Sequence, residues 1–106
     1  MSDLNVVTHA QAQAAIDRLF KVALGDTGQS RVVANFLLAW WNAQDHGGFD
    51  LAELFSVDTA ISDDMALVFQ FISQRGTAIY LDAFDRRTQT VELILRWRRP
   101  DAEEAA

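Results

Sequence analysis

The sequence predicts an all-α protein, a compact bundle of four main helices plus one short helical turn. Apolar residues recur at three- and four-residue steps along most of the chain, which places them on one face of successive α-helices. Only one proline and five glycines punctuate the 106 residues, so the chain has room for a few long elements. We expect a single helical domain over residues 1–100 and a polar C-terminal tail over residues 101–106.

The first helix is expected from about residue 9 to residue 24. Thr8 followed by Gln11 has the spacing of a capping box, in which two side chains bond backbone N–H groups at the start of a helix. Gly25 marks its end, because glycine is common directly after a helical C-terminus.

The segment GDTGQS, residues 25–30, looks at first like a phosphate-binding loop because it contains glycines and opens a helix. It lacks the lysine and the spacing of such loops, and it follows a helix where those loops follow a strand. We therefore interpret it as a turn in which Thr27 or Ser30 caps the second helix.

The second helix, from about residue 31 to residue 45, is apolar around most of its circumference. A helix of this kind must pack on at least two sides, so we expect it to be the central helix. The adjacent Trp40 and Trp41 diverge and serve two contacts. The second apolar face is covered by the chain itself or meets another chain. The side chains of this possible partner interface are Ala34, Leu38 and Trp41, with Trp97 from the last helix.

The segment QDHGGFD, residues 44–50, joins the second helix to a short helical turn at residues 51–55. Gly47 is suited to end a helix, and Asp50 is suited to cap the turn that follows. The residues open to a catalytic or metal-binding interpretation are Asp45, His46, Asp50 and Glu53. Carboxylates with a histidine can bind a divalent cation, but no dense motif such as HExxH or an EF-hand loop is present. We therefore predict no metal, no cofactor and no enzymatic activity.

The third helix is expected from residue 58 or 59 to residue 75, with Gly76 directly after it. Its main apolar set is Ile61, Met65, Val68, Phe69 and Ile72, with Leu67 and Phe71 on a second face. The region from residue 77 to residue 87 is compatible with an extended segment or a short helix.

The fourth helix is expected from about residue 88 to residue 99, where Pro100 stops it. Arginines near its C-terminus are favourable for the helix dipole. Its wide apolar face consists of Val91, Leu93, Ile94, Leu95 and Trp97.

The chain is acidic, with a net charge of −6 and a pI near 4.6, so direct binding of nucleic acid is not expected. Many of its carboxylates lie in one stretch that contains no Lys or Arg. These residues are Asp45, Asp50, Glu53, Asp58, Asp63 and Asp64. We interpret them as solvated faces and helix-end charges, and the alternative is a polarised acidic surface that docks a partner.

The sequence also bears on localisation. The N-terminal residues MSDLNVVTHAQ lack the charged start and the apolar run of a signal peptide. The longest apolar stretch, residues 32–41, is interrupted by Asn35 and is shorter than the roughly 20 residues that span a bilayer. Cysteine is absent, which excludes disulfides and thiolate chemistry. We expect a cytoplasmic protein that does not contact membranes.

The run GDTGQSRVVANFLLAWWNAQDHGGFDLAELFSVD, with RWRRP near the end, resembles a family of small uncharacterised acidic helical proteins from proteobacteria, often encoded in mobile-element neighbourhoods. The resemblance covers residues 25–100. The chain departs from that family's pattern at Phe55, where a tryptophan is usual, and near Tyr80, where a proline-bearing loop is usual. The resemblance implies a helical fold and a mobile-element setting. Because that family has no established activity, it supplies no functional residues.

The apolar excess of the second helix favours a small, non-enzymatic interaction module that self-associates or docks a protein partner. An alternative from another class is an acidic inhibitor that mimics nucleic acid and occupies the basic groove of a DNA- or RNA-binding factor. It would use the carboxylates between residues 45 and 64. A metal-dependent enzyme is the least favoured hypothesis.

Overall fold

The computed structural model describes residues 6–98 of the chain, and every regular element within them is helical. The α-helices are α1 (His9–Ala23), α2 (Gly28–His46), α3 (Thr59–Gln74) and α4 (Arg87–Trp97). A first 3-10 helix, Leu51–Ser56, follows α2, and a second, Leu81–Phe84, follows α3. These elements confirm the predicted all-α class, the four main helices and the short helical turn near residue 51.

The starts of α1 and α2 are fixed by capping boxes. At α1, the Thr8 hydroxyl accepts from the Gln11 N–H at 3.1 Å, and Gln11 Oε1 accepts from the Thr8 N–H at 2.9 Å. α2 begins at Gly28, three residues before the predicted start, because Thr27 takes the cap position. Thr27 Oγ1 accepts from the Ser30 N–H at 3.1 Å. The predicted cap at Thr27 is thereby confirmed, but the turn ends there, because Gly28, Gln29 and Ser30 already belong to α2.

α2 is interrupted near its C-terminus at Asn42, where the backbone is extended with φ −168° and ψ 89°. Asn42 Oδ1 accepts from the Asp45 N–H at 3.1 Å, and Asn42 Nδ2 donates to the Asp45 carboxylate at 3.0 Å. Asn42 therefore caps a separate final turn, and the prediction of one continuous helix is corrected here. Gly47 ends the element with φ 94° and ψ 156°, a conformation that only glycine adopts readily.

α2 has the widest set of neighbours in the fold. It packs against α1, α4 and both 3-10 helices, which confirms the predicted central position of the second helix. α3 packs on α1 instead, and it lacks comparable contact with α2. The helices are therefore arranged in the order α3, α1, α2, α4, and α2 and α3 are left apart from each other.

The buried face of α3 differs from the predicted one. Its buried residues are Met65, Val68 and Phe71, whereas Phe69 is 65% exposed. The assignment of Phe69 to the main core face is wrong. The reason is that α3 packs on α1 through a stripe centred on Val68 and Phe71, and this stripe turns Phe69 away from the core.

α4 is less buried than predicted. Leu93 is its buried apolar residue, while Val91 and Leu95 of the predicted apolar face are exposed. The predicted helix end at residue 99, the stop at Pro100 and the polar tail lie outside the described residues. In the part of the chain that is described, no helix has both the length and the apolar character that crossing a bilayer requires.

The region from residue 77 to residue 87 contains both of the conformations that the sequence left open. Tyr80 is extended, with φ −117° and ψ 166°, and the second 3-10 helix follows directly. Asp85 then adopts a left-handed conformation, with φ 58° and ψ 49°, which turns the chain into α4. Aspartate is among the side chains that tolerate this conformation best.

Candidate functional site

The predicted partner interface lies on a side of α2 that the chain itself covers. Ala34 and Leu38 are fully buried, and Trp41 and Trp97 are half-buried against the core. The Trp97 indole N–H donates to the carbonyl of Ala23 at 2.9 Å, which fixes the end of α4 over α1. Ala34 and Leu38 therefore have no surface to offer a partner, whereas Trp41 and Trp97 keep part of theirs exposed.

Arg98 closes the same side of α2. Its Nε donates to the His46 carbonyl at 3.1 Å, and its Nη2 donates to Asn35 Oδ1 at 2.8 Å. Partial burial lowers the pKa of the Arg98 guanidinium from its ordinary value. One side chain thus joins the C-terminus of α4 to the middle and the end of α2. We call the pair Trp97 and Arg98 the α4 clamp.

Trp40 points to the other side of α2, as the predicted divergence of the two tryptophans requires. Its indole N–H donates to the Ile79 carbonyl at 3.0 Å. Its ring meets the edge of Phe84 at a centroid distance of 6.0 Å, and Phe84 packs in turn on Phe71 at 5.7 Å. Trp40 is therefore held in one orientation at the edge of the gap between α2 and α3.

An apolar groove occupies this gap. It consists of two adjoining cavities of about 260 and 290 Å³, and the side chains that line both are Phe36, Phe49, Leu51 and Phe69. The first cavity is also lined by Leu54, Met65 and Ala66, and the second by Ala39, Trp40 and Ile72. We call these ten residues the α2–α3 groove. They come from α2, α3, the first 3-10 helix and the loop before it.

The groove remains open because of how the helices pack. α2 and α3 both contact α1 but do not close on each other, and the first 3-10 helix spans the space between them. Phe49 anchors that connection by packing edge-on against Phe36, with ring centroids 5.4 Å apart. Leu51 is 69% exposed and Phe69 is 65% exposed, so both form the rim of the groove. Phe55, on the same 3-10 helix, is 91% exposed.

Two carboxylates of the predicted acidic surface face arginines. Asp64 accepts two hydrogen bonds from Arg18, at 2.8 and 2.9 Å, and this contact raises the pKa of the guanidinium. Glu53 lies 3.9 Å from Arg31 and accepts from the Ser56 hydroxyl at 3.1 Å. These contacts connect α3 to α1 and the first 3-10 helix to α2. They favour a structural role for both carboxylates.

The other carboxylates of this stretch are bonded to uncharged groups or lie in the open. The Asp45 carboxylate accepts from Asn42 Nδ2 in the final turn of α2. Asp50 caps the first 3-10 helix by accepting from the Ala52 N–H at 3.0 Å. Asp58 accepts from Gln29 Nε2 at 3.5 Å. Asp63 is exposed and lines a shallow depression between α3 and the N-terminal end of α1.

The described residues offer binding surfaces more readily than reactive groups. Within residues 6–98, no three His, Asp or Glu side chains converge as a metal site, and this range includes Asp45, His46, Asp50 and Glu53. His46 bonds Arg98 through its backbone carbonyl. The α2–α3 groove is lined by aliphatic, aromatic and thioether side chains, none of which titrates. Its chemistry is suited to burying apolar surface.

None of the ten groove residues was predicted from the sequence as part of a binding site. The excess of apolar surface on α2 was a correct signal, but it was assigned to the face of Ala34 and Leu38. The available signal for the groove was Leu51, an apolar residue at the start of a short 3-10 helix that leaves it 69% exposed. Phe69 gave no such signal, since its spacing from Met65 and Ile72 is equally compatible with a core position.

Comparison with known proteins gives one family relationship. Neither a curated protein nor a solved structure matches the chain. Residues 13–98 match DUF7673, which is described as a family of unknown function. The match includes the groove and the α4 clamp and extends over well more than half of the 106 residues. The chain therefore belongs to the DUF7673 family.

Proposed function

We propose that this protein is a non-enzymatic interaction module that binds a protein segment in the α2–α3 groove. The observation that carries the proposal is the exposure of Leu51 and Phe69 on the rim of a preformed apolar groove. A partner that covered these side chains would remove their apolar surface from water, which contributes about 25 cal/mol for each Å² buried. Burial of the apolar surface of the groove can drive binding, and it requires no reactive group.

The size and continuity of the groove support this interpretation. Single exposed apolar residues are ordinary on protein surfaces, whereas contiguous apolar patches commonly mark interaction sites. Here two cavities share four lining side chains and therefore form one continuous surface. Trp40 and Phe49 are held by a hydrogen bond and a ring contact, so part of the surface is ordered before a partner arrives.

The contacts of the carboxylates favour an interaction module over a mimic of nucleic acid. A mimic needs several free carboxylates that repeat along one surface, but Asp64 and Glu53 face arginines and Asp50 serves as a cap. The proposal places the protein in the cytoplasm. Following the sequence resemblance, it also assigns the protein to a proteobacterial mobile-element setting.

The proposed function can be tested by comparative affinity capture from cells that produce the protein. The groove variant is Phe69→Ser, and the matched control is Leu95→Ser, an exposed apolar residue on α4. We expect a partner that the wild type and Leu95→Ser retain and that Phe69→Ser loses. Equal capture by all three proteins, or no partner that depends on the groove, would refute the proposal.

A further inference from the structure

We infer that the occupant of the α2–α3 groove is an amphipathic helix that carries Lys or Arg beside its apolar face. This inference rests on the proposed function and specifies its partner. Three features support it: the almost entirely apolar lining of the groove, the paired shape of the two cavities, and the excess of negative charge in the segment of sequence that supplies the first 3-10 helix and α3.

The apolar lining favours a helix over an extended peptide. An extended peptide needs partners for its backbone N–H and C=O groups, which a sheet edge normally supplies. No strand exists within residues 6–98, and side chains of the groove provide no hydrogen-bonding groups apart from the Trp40 indole, which already donates to Ile79. A helix bonds its own backbone and presents only side chains to the groove.

The two cavities are suited to two neighbouring anchors on such a helix. Because they share Phe36, Phe49, Leu51 and Phe69, they adjoin each other along the groove. Side chains three or four residues apart on a helix are separated by about 5–6 Å and lie on one face. Met65 in the floor can adapt to different anchors, because its unbranched thioether fits irregular gaps.

The charge around the groove favours a basic partner. Residues 47–74, which supply the first 3-10 helix and α3, contain no Lys or Arg. Of the ion pairs within residues 6–98, those that reach this stretch join Arg18 to Asp64 and Arg31 to Glu53. The acidic residues of the stretch without a cation are Asp50, Asp58 and Asp63. Asp50 lies between two groove residues in sequence, so a partner with Lys or Arg at the groove edge gains attraction.

The same charge disfavours a second copy of this chain as the occupant. In a symmetric pair, each groove would meet the equivalent surface of its partner. Asp50 and its neighbouring carboxylates would then be brought close to the same residues of the other copy, and like charges repel. A basic amphipathic helix avoids this repulsion and covers the same apolar surface.

The inference can be tested with a displayed library of 16-residue amphipathic helices. The positions that flank the apolar face encode Lys, Glu or Gln, and excess Phe69→Ser protein serves as a soluble competitor. One selected peptide and its Lys→Glu twin are then titrated into the wild type, Phe69→Ser and Leu95→Ser. We expect enrichment of Lys and a roughly tenfold affinity advantage over the Glu twin at low salt, as two or three exposed ion pairs would provide.

The possible outcomes separate the inference from the proposed function. Peptides that need Phe69 but show no preference for Lys would overturn the inference on charge and leave the interaction module standing. Self-association that Phe69→Ser abolishes, without peptide binding, would overturn the inference in favour of a second copy. If neither peptides nor self-association depend on Phe69, both the inference and the proposed function fail.

Discussion

The two sides of α2 carry similar apolar side chains but end in different environments. On one side, the chain buries Ala34 and Leu38 completely, and the α4 clamp holds α4 in place through hydrogen bonds to Ala23, His46 and Asn35. On the side of Phe36, Ala39 and Trp40, the chain leaves a groove that is open to water.

The difference arises outside α2. α4 docks on α2 directly, whereas α3 docks on α1 and is connected to α2 through the two short 3-10 helices. The apolar pattern of a helix therefore sets how much surface must be covered, and its neighbours decide which side remains available. A helix with two apolar sides can thus pack into the core with one side and bind a partner with the other.

The largest expected effect on stability comes from truncating one leucine on the covered side of α2 and one leucine on the groove side. Leu38→Ala removes a fully buried side chain and should lower the free energy of unfolding by about 2–5 kcal/mol. Leu51→Ala removes a mostly exposed side chain and should change it by less than about 0.5 kcal/mol. Urea denaturation of both variants checks the pair. A similar loss of unfolding free energy in the two variants would contradict the account, because it would show that Leu51 is packed in the folded chain as tightly as Leu38.

The next largest effect on stability is expected from breaking the α4 clamp. Arg98→Met keeps much of the side-chain volume but removes the donors to His46 and Asn35. We expect a loss of about 1–3 kcal/mol in the free energy of unfolding, because hydrogen bonds from charged groups are stronger than neutral ones. Arg87→Met, an exposed substitution at the start of α4, is the matched control and should be nearly neutral. If both variants are equally stable, Arg98 does not fasten α4.

Trp97 and Trp40 each donate one indole hydrogen bond, the first on the covered side of α2 and the second on the groove side, so the two bonds can be compared. Trp97→Phe removes the bond to Ala23, and Trp40→Phe removes the bond to Ile79. Each should cost about 0.5–1.5 kcal/mol of stability by thermal or urea denaturation, in addition to any loss of packing. Trp40→Phe should also weaken groove binding, whereas Trp97→Phe should leave it unchanged. The opposite pattern of binding would assign the partner to the α4 side.

The smallest expected effect on stability is at the rim. Phe69→Ser replaces an exposed ring, so the free energy of unfolding should change by no more than about 0.5 kcal/mol. Leu95→Ser on α4 should change the free energy of unfolding by a similarly small amount, and it is the control for the loss of surface hydrophobicity. A marked destabilisation by Phe69→Ser, measured by the same denaturation, would indicate that its ring is packed in the folded chain.

The parts of the fold that were predictable from sequence depend on neighbouring residues. The capping box of Thr8 and Gln11 and the positive φ of Gly47 and Gly76 follow from local hydrogen bonding and backbone sterics. The short helix after Asp50 could be predicted for the same reason, since its cap bond spans two residues.

The parts that were missed depend on long-range packing. Phe69 and Phe71 have equally plausible helical spacing, and only the docking of α3 on α1 decides which one is buried. Arg98 meets Asn35 across 63 positions of sequence, a contact that no local pattern indicates. Asn42 is compatible with a helix interior or a cap, so its break in α2 could not be distinguished in advance. The groove is a product of such contacts, which is why the sequence indicated an apolar excess on α2 but not which side of the helix the chain leaves open.

The central claim is that one apolar side of α2 is covered by the chain while the other remains open. Solvent paramagnetic relaxation measured by NMR with a soluble gadolinium chelate tests it most directly on the free protein. We predict strong broadening of the Leu51 methyl and Phe69 ring signals, with Leu38 methyl signals protected. Equal protection of all three residues at low protein concentration would contradict the account, because the groove would then be closed without a partner.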